Sequence, residues 1–253
     1  MKICICQYDI EWENKHKNKE KILGLISKIE DADLIILPET CLTGFSFKKE
    51  ITTLTEDDLK FFSQIAKDKK SCVCFGGIFD EKNCCFVVSP EGEIILKTAK
   101  VHLFTPSGEH AHHKAGTHIK TVRIDCANIT PLICYDLRFA PLFWISAEKT
   151  DVFVVIANWP ESRRNHWVSL LSARAIENQA FVIGVNRTGK SPKEKYCGDS
   201  CVIDPQGRII FNAGNKNGAF VVDVEINDVK KTRKNFPVLK DRKNLSDYIN
   251  MRR

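Results

Sequence analysis

The sequence of 253 residues contains no apolar run that approaches the roughly 18 residues of a membrane-spanning helix. Its first residues, Met1 to Cys6, do not lead into the long apolar region and small-residue cleavage site of a secretory signal peptide. No low-complexity linker divides the chain, and no short-period repeat is visible. We therefore predict a cytoplasmic protein with no membrane partner, folded as one domain over residues 1–253.

Recognisable patterns for disulfides and metal ions are also missing, although the chain has 11 cysteines. There is no Cys-x-x-Cys pair and no His-Glu-x-x-His motif. Several cysteines lie inside apolar runs, where a thiol acts as a small hydrophobic side chain. The polar loop 105–116 holds possible ligands without metal-site spacing: Glu109, His110, His112 and His113. We expect free thiols, no metal and no other cofactor, and the role of this loop stays open.

The formal net charge of +6 is modest, and most of the excess lies between Lys230 and Arg253. The chain has no recognisable nucleic-acid-binding motif and no interleaving of basic and aromatic residues. A solvated helix and tail is therefore the simplest interpretation of residues 226–253, which we treat as a basic C-terminal extension. We expect no nucleic-acid partner, and a nucleic-acid binder that uses this segment is kept as an alternative.

Apolar periodicity in the first hundred residues predicts a βαβ unit followed by a helix and a meander. Thr55 and Asp58 have the spacing of a capping box at the start of the second helix. Gly76 and Gly77 indicate either a close approach of another backbone segment or a bulge. In order, the predicted elements are a strand over 2–8, a helix over 14–30, a strand over 33–37, a helix over 55–70, and strands over 71–79, 84–89 and 93–98.

The second part of the chain repeats the alternation of strands and helices. The predicted elements are a hairpin of strands over 118–125 and 128–134, a helix over 139–149, a fully apolar strand over 151–158, a helix over 165–179, and strands over 181–186, 196–204, 208–212 and 219–224. The two sets together predict an α/β fold in which two mixed sheets are covered by helices.

Three chemically active side chains each follow an apolar strand directly. Glu39 follows the strand over 33–37, Lys100 follows the strand over 93–98, and Cys134 ends its strand. Ligand crevices in open α/β sheets form at such strand ends, which favours one shared site. Each residue also has an ordinary interpretation: a carboxylate that caps a loop, a solvated lysine and a buried core cysteine.

A thiol, a carboxylate and an ammonium in one crevice make a complete set for covalent catalysis. Cys134 is a candidate nucleophile, and a neighbouring ammonium favours its thiolate. Glu39 can move protons as general base and acid. Lys100 and the backbone N–H of Tyr135 can stabilise an oxyanion.

The motifs around these residues resemble the nitrilase, or carbon–nitrogen hydrolase, superfamily. They are Leu37-Pro38-Glu39-Thr40 with Thr43-Gly44-Phe45, Lys100-x-His102-Leu103-Phe104, and Ile133-Cys134-Tyr135-Asp136-Leu137-Arg138-Phe139. The resemblance covers nearly the whole chain. It implies a Glu-Lys-Cys triad of Glu39, Lys100 and Cys134, a second glutamate at Glu109, and a four-layer αββα sandwich.

Within the superfamily, the resemblance is closest to bacterial omega-amidases of the YafV type. It rests on stretches such as His113-Lys114-Ala115-Gly116, Ala157-Asn158-Trp159-Pro160 and Ala173-Arg174-Ala175-Ile176-Glu177. Such enzymes hydrolyse the side-chain amide of 2-oxoglutaramate or 2-oxosuccinamate, without a cofactor, to the dicarboxylate and ammonia. The resemblance also implies a homodimer or a higher homo-oligomer. Ala140 departs from the proline that commonly follows Arg-Phe, which leaves the triad unchanged.

The remaining predicted site residues are assigned to substrate binding by this resemblance. Arg138 would bind a substrate carboxylate, and an internal salt bridge to Asp136 is the alternative. Phe45, Phe104 and Trp159 would form pocket walls, although core aromatic residues have the same sequence signature. Another amidase of the superfamily, for deaminated glutathione or a carbamoyl compound, is the nearest rival function. A non-catalytic interaction protein on the same fold is a rival from another class.

Overall fold

The computed structural model describes residues 1–243 and 245–251. Strands in the first half are short runs rich in Ile, Val, Phe and Cys, and most of their residues are buried on both faces, as strands in covered sheets require. The elements are β1 (Lys2–Gln7), α1 (Lys15–Ile26), β2 (Leu34–Ile36), α2 (Lys49–Thr52), α3 (Glu56–Lys69), β3 (Cys72–Phe79), β4 (Lys82–Val88) and β5 (Ile94–Ala99).

The second half begins with short elements in and after the loop 105–116, which we call the histidine loop, and then repeats the strand–helix alternation. The elements are α4 (Glu109–His112), β6 (Val122–Ile124), β7 (Ala127–Ile133), α5 (Ala140–Ser146), β8 (Val152–Ala157), α6 (Arg164–Asn178), β9 (Phe181–Asn186), β10 (Thr188–Lys190), β11 (Lys195–Cys197), β12 (Cys201–Ile203), β13 (Ile209–Asn212), β14 (Gly218–Asp223), α7 (Asn227–Asn235) and α8 (Leu245–Asn250). A 3₁₀ turn, Cys134–Arg138, follows β7.

Two six-stranded sheets share one plan. The first has the order β14-β1-β2-β3-β4-β5, with β1, β2 and β3 parallel and the flanking strands antiparallel. The second has the order β13-β12-β9-β8-β7-β6, with β7, β8 and β9 parallel. β10 and β11 form a separate two-stranded hairpin. The carboxyl ends of both parallel trios therefore carry the candidate catalytic residues Glu39 and Cys134.

The sheets pack face to face, and helices cover each outer face. Residues from both sheets share one apolar core, for example Ile5 of β1 and Ile156 of β8. α1 and α3 cover the first sheet, where Phe62 is fully buried. α5 and α6 cover the second sheet, where Leu171 is fully buried. The molecule is therefore the four-layer αββα sandwich that the sequence predicts.

Local structure confirms the capping box and shortens the first helix. Thr55 Oγ1 accepts the Asp58 N–H at 3.2 Å, and Asp58 Oδ2 accepts the Thr55 N–H at 3.0 Å. α1 ends at Ile26, four residues before its predicted end. The chain there tightens into i→i+3 bonds, with the Ile29 N–H bound to the Ile26 carbonyl at 3.0 Å, because this turn brings Ile29 into the core.

Three other predictions differ from the structure. The loop 105–116 contains the short helix α4, which its polar sequence does not indicate. The strand predicted over 196–204 is divided into β11 and β12, because Gly198 and Asp199 have φ values of +75° and +55°. The strand predicted over 118–125 is limited to β6.

The basic C-terminal extension is partly used for packing. Arg233 donates to the carbonyl oxygens of Ala147 and Thr150, at 3.0 and 2.7 Å, and Arg242 donates to that of Glu177 at 2.8 Å. These two guanidinium groups therefore hold the segment against α5 and α6 and do not point into solvent. Residues 244, 252 and 253 of the predicted extension lie outside the described residues. Within the described part of the chain, every helix is too short or too polar to span a bilayer.

Candidate active site

Cys134 lies where β7 ends and the 3₁₀ turn begins. Its φ is +47°, a left-handed conformation that costs a non-glycine residue roughly 1–3 kcal/mol. Asp136 holds the turn, since its carboxylate accepts the N–H of Ile133 at 3.3 Å and the N–H of His102 at 2.8 Å. The strained turn presents the thiol at the strand end, and Asp136 fixes it to the loop after β5.

Glu39 follows β2 and is fully buried. Its Oε1 accepts hydrogen bonds from Lys100 Nζ at 3.0 Å and Asn83 Nδ2 at 2.7 Å. Its Oε2 accepts the backbone N–H of Asn158 at 2.8 Å and the side-chain amide of that residue at 3.2 Å. A Cβ at Gly76 of β3 would lie 2.8 Å from Glu39 Cα, so the close backbone approach predicted for this glycine pair is confirmed.

Lys100 follows β5, and its ammonium lies between two buried carboxylates. Nζ is 3.0 Å from Glu39 Oε1 and 3.0 Å from Glu109 Oε2. Glu109 is the first residue of α4, and its Oε2 also accepts the N–H of Phe104 at 2.6 Å. Three of the predicted residues thus form one buried ion cluster with two negative charges and one positive charge.

The ion pairing overcomes the burial of the cluster. Burial acts to raise the pKa of Glu39, but the Lys100 ammonium and hydrogen bonds from Asn83 and Asn158 hold that pKa below its ordinary value. Burial also acts to lower the pKa of Lys100, and the charges of Glu39 and Glu109 reverse this and raise it. The ionised forms of Glu39 and Lys100 therefore stabilise each other.

Cys134 behaves differently. Burial raises the pKa of its thiol well above the ordinary value, the charge of Glu39 raises it further, and Lys100 offsets only a part. Lys100 acts in the predicted direction, since its charge favours the thiolate of Cys134, but burial and the charge of Glu39 outweigh it. A base must remove the thiol proton before the sulfur can attack.

These groups lie at the wall of a cavity of about 430 Å³. Its walls include most of the predicted site residues: Glu39, Phe45, Lys100, Phe104, Cys134, Tyr135, Arg138 and Trp159. Glu109 contacts Lys100 but is itself fully buried and is not a wall residue. The structure therefore gathers the three strand-end residues in one crevice.

Arg138 faces this cavity without a carboxylate partner among the described residues. Its guanidinium lies 4.8 Å from the centre of the Trp159 ring and donates to His166 Nδ1 at 3.1 Å. The internal salt bridge to Asp136, which the sequence leaves open, does not form. Asp136 instead accepts backbone N–H groups and contacts His102 Nδ1 at 3.1 Å.

The aromatic residues assigned to the walls do line the cavity. The Phe45 ring centre is 5.1 Å from Lys100 Nζ, and the Phe104 ring packs edge-on against Tyr135 at 5.0 Å. Trp159 donates its indole N–H to a backbone carbonyl at 2.8 Å, which fixes its orientation. Phe45 and Phe104 are half-buried wall residues, whereas Trp159 is 3% exposed and belongs both to the wall and to the apolar core beside the second sheet.

Sequence reasoning missed several residues of the site. Asn158 follows β8, so the strand-end rule that found Cys134 would also have found it. Asn83 lies inside β4, where no local signal marks it. Other missed wall residues come from polar loops and from the hairpin β10–β11: Trp12, Phe47, Arg163, Glu194 and Tyr196.

The histidine loop packs beside the ion cluster. The His112 ring stacks on Phe47 at 4.5 Å, and the buried His113 ring meets Phe47 edge-on at 5.9 Å. Burial lowers the pKa of His113. Among the described residues, no group of three His, Cys, Asp or Glu side chains is arranged to hold a metal ion.

Comparison with known sequences places this geometry in a family context. A family model described as carbon–nitrogen hydrolase matches residues 2–234. The 2-oxoglutaramate amidase of Bacillus subtilis (strain 168) is 33% identical over 251 residues, covering 94% of this chain and 96% of that protein. The omega-amidase YafV of Escherichia coli (strain K12) is 34% identical over 249 residues, covering 95% of this chain and 96% of that protein.

A solved structure shows the same fold. A CN-hydrolase superfamily protein from Xanthomonas campestris, with an arsenic adduct in its active site, superposes with a TM-score of 0.90 at 27% identity. The match covers 97% of this chain and 98% of that chain.

Proposed function

This chain belongs to the carbon–nitrogen hydrolase family, and on that premise we propose that it hydrolyses the terminal amide of a small 2-oxo acid amide. The proposed substrates are 2-oxoglutaramate or 2-oxosuccinamate, and the products are the dicarboxylate and ammonia. The observation that carries the proposal is the buried cluster of Glu39, Lys100 and Glu109 beside Cys134. Arg138, which has no carboxylate partner among the described residues, lies on the same cavity wall. The activities in the names of the two relatives support the same substrate class.

The first proposed step forms a carbon–sulfur bond. Glu39 takes the Cys134 proton, and the sulfur attacks the amide carbonyl carbon. The electron pair of the C=O bond moves to oxygen, where the Lys100 ammonium and the Tyr135 N–H stabilise the charge. Tyr135 is the second residue of the 3₁₀ turn, and the first N–H groups of a helical turn have no acceptor within it.

The second step breaks the carbon–nitrogen bond. The oxyanion re-forms the carbonyl, Glu39 gives its proton to the nitrogen, and ammonia leaves a Cys134 thioester. Water then enters, Glu39 takes one of its protons, and the hydroxide attacks the thioester carbon. The carbon–sulfur bond breaks, Cys134 regains a proton, and the carboxylic acid leaves. In this scheme Glu109 holds Lys100 in place.

Substrate recognition is assigned to Arg138. A guanidinium binds a carboxylate through two parallel N–H bonds, which suits the carboxylate of a 2-oxo acid. Stacking on Trp159 fixes the plane of the guanidinium beforehand, so less conformational entropy is lost on binding. The rings of Phe45 and Phe104 form an apolar part of the cavity wall.

A larger amide of the same chemistry is the second candidate. A cavity of about 430 Å³ lies in the range of pockets that hold drug-sized ligands, which exceeds the needs of a five-carbon substrate. Deaminated glutathione or a carbamoyl compound would use the same catalytic residues. Only the contacts at the outer walls would differ.

We also propose that the protein is cytoplasmic and forms a homodimer or a higher homo-oligomer. Each chain would fold as one domain. Ile145 on α5 and Ile176 on α6 are 61% and 56% exposed, and burying these apolar side chains against a second copy would favour a contact surface on this helix layer. Sedimentation velocity of the full chain tests this, and a monomer at micromolar concentration would contradict it.

The decisive experiment measures ammonia release from 2-oxoglutaramate, deaminated glutathione and propionamide. Wild type should act fastest on 2-oxoglutaramate, and Cys134→Ser should lose roughly 10³-fold or more of that activity. Cys126→Ser is the matched control, because Cys126 is exposed in the turn between β6 and β7. Release chiefly from another amide would keep the chemistry and discard the substrate. Unchanged turnover by Cys134→Ser would overturn the mechanism.

A further inference from the structure

Asn83 contacts every member of the buried ion cluster. It is fully buried in β4, and its side-chain nitrogen lies 2.7 Å from Glu39 Oε1 and 3.0 Å from Glu109 Oε1. Its backbone carbonyl accepts the N–H of Lys100 at 2.8 Å. No other residue that the structure describes is recorded in hydrogen bonds to all three.

The chemistry of the amide fits this position. An amide nitrogen carries two hydrogens, which matches the two carboxylate oxygens that face it. The opposite orientation would set the amide oxygen against those two oxygens, so the donor side of Asn83 is fixed by its surroundings. Its Oδ1 is buried and has no hydrogen-bond partner among the described residues. An unpaired buried carbonyl is unfavourable, so the donor contacts must outweigh it.

We propose that Asn83 is a positioning residue of the amide hydrolysis, which gives one hydrogen to each carboxylate and so keeps Glu39 and Glu109 apart around Lys100. The inference rests on the proposed function. Without this neutral donor, Lys100 would be the one described residue whose side chain still bonds both buried carboxylates. Two like charges that share one site disfavour full ionisation, and one carboxylate would then hold a proton.

The expected consequence is a change in the pH dependence of Glu39. The titratable and charged groups that face Glu39 are Lys100 after β5, Glu109 at the start of α4 and Cys134 after β7, and His113 lies beyond Glu109. The hydrogen bond from Asn83 helps to hold the pKa of Glu39 below its ordinary value. Removing this donor raises that pKa, so less Glu39 is available as a base at acidic pH.

The test compares the acid limb of kcat/KM in wild type, Asn83→Leu and Asn83→Ser. The Leu side chain is similar in volume to that of Asn and has no hydrogen-bond donor. In Asn83→Leu the acid limb of kcat/KM should therefore move to higher pH by about one unit. Ser keeps a single donor hydrogen, so its limb should lie between the other two. KM should change little, because Asn83 is not a wall of the cavity.

A second readout needs no amide substrate. The rate of Cys134 alkylation by iodoacetamide, followed by mass spectrometry of the peptide that contains it, reports removal of the thiol proton by Glu39. Its acid limb should shift in the same order, wild type, Ser, Leu. If wild type hydrolyses none of the offered amides but this order holds, the proposed substrate fails and the role of Asn83 stands.

The control is Asn178→Leu. Asn178 is also fully buried, but its amide nitrogen donates to the Arg174 carbonyl at 2.8 Å in α6. Asn178→Leu should be less stable than wild type. The acid limbs of its kcat/KM and of its Cys134 alkylation rate should lie at the same pH as in wild type. A purely structural role for Asn83 predicts the same pattern for Asn83→Leu and Asn83→Ser, and an unshifted limb in both folded variants would overturn the proposal.

Discussion

At the scale of single residues, the proposed mechanism requires a base, because the surroundings of Cys134 favour its protonated thiol. Cys134 has a strained backbone and a raised pKa, and Glu39 has a lowered pKa and four hydrogen-bond donors. The pair therefore rests as thiol and carboxylate.

Arg138 gives a residue-scale prediction about specificity. Arg138→Met should reduce kcat/KM for 2-oxoglutaramate by about 10²-fold, or about 3 kcal/mol, mainly through KM, because the substrate carboxylate loses its partner. Arg138→Lys should lose about tenfold, since it keeps the charge without the two parallel bonds. Steady-state kinetics with 2-oxoglutaramate and with neutral propionamide provide the measurement.

For propionamide, both variants should stay within about threefold of wild type, because this substrate has no carboxylate. Arg164→Met serves as the control. Arg164 is also an arginine, but it pairs with Asp199 and is not a wall residue of the cavity. Equal losses on both amides would show that Arg138 supports the fold of the site rather than the substrate carboxylate.

At the scale of elements, two contacts decide where the catalytic groups lie. In the first contact, Gly76 of β3 packs against the backbone of Glu39, which follows β2. In the second, Asp136 in the turn after β7 accepts the N–H of His102 in the loop after β5. Each contact joins strands that are distant in sequence. The elements therefore set the spacing of the catalytic groups more than any local motif does.

Gly76 tests the first of these contacts. In Gly76→Ala the new Cβ would lie 2.8 Å from Glu39 Cα and 2.9 Å from Thr40 N, so the Glu39 backbone must move. We expect kcat/KM to fall by roughly 10²-fold, as small displacements of catalytic groups produce losses of this size. We expect stability to fall by about 1–3 kcal/mol.

The matched control is Gly24→Ala in α1, where a Cβ meets nothing within 4 Å. Alanine is favoured over glycine in a helix interior, so stability should rise by up to about 1 kcal/mol with activity unchanged. Kinetics and urea denaturation report both effects. A fully active Gly76→Ala would contradict the close approach.

Asp58 gives a pH-dependent prediction about α3. Burial acts to raise its pKa, but bonds from Lys15, Lys19 and Thr55 lower it to about 2. A lowered carboxyl pKa adds stability that is fully present above about pH 4 and is lost as the pH falls toward 2. Asp58→Asn should therefore cost about 1–2 kcal/mol at pH 7, after allowance for solvent screening, and little at pH 2.5.

The control in the same turn is Asp57→Asn. Asp57 is largely exposed and pairs only with Lys60, so its replacement should stay within about 0.5 kcal/mol at every pH. Denaturant unfolding at pH 7, 4 and 2.5 gives the comparison. A loss for Asp58→Asn that persists undiminished at pH 2.5 would rule out the ion pairs as its source.

At the scale of the whole molecule, β1 and the segment that begins with β14 close the sandwich. β14 pairs with β1 along its length, from Lys2 opposite Asp223 to Gln7 opposite Gly218. The segment after β14 then crosses to the second helix layer, where Arg233 binds the carbonyl groups that follow α5. The two halves of the chain are thus joined at both the sheet and the helix layers.

Arg233→Ala tests this closure. Loss of the guanidinium leaves the carbonyls of Ala147 and Thr150 without that donor, and both residues are fully buried. The expected cost is about 2–3 kcal/mol in the free energy of unfolding. Lys234→Ala, at an exposed neighbouring position, should cost less than about 0.5 kcal/mol. Similar stabilities of the two variants would show that the segment does not hold the layers together.

Sequence patterns alone predict the layer architecture, the capping box of α3 and the three strand-end residues. Period and burial are local properties of a chain, and strand ends are readable from where an apolar run stops. The assignment of Glu39, Lys100 and Cys134 to a catalytic triad comes from the resemblance of the surrounding motifs to the family.

The contacts and protonation of the site residues come from tertiary packing, which sequence patterns do not contain. Asn83 and Asn158 are far from Glu39 in sequence, and their contacts with it arise from packing of separate strands. The pKa of Cys134 depends on its burial and on the charges of Glu39, Lys100 and Glu109 around it. No local sequence pattern predicts these surroundings. Pairwise distances between residues distant in sequence set these energies, and they exist only once the two sheets have packed together.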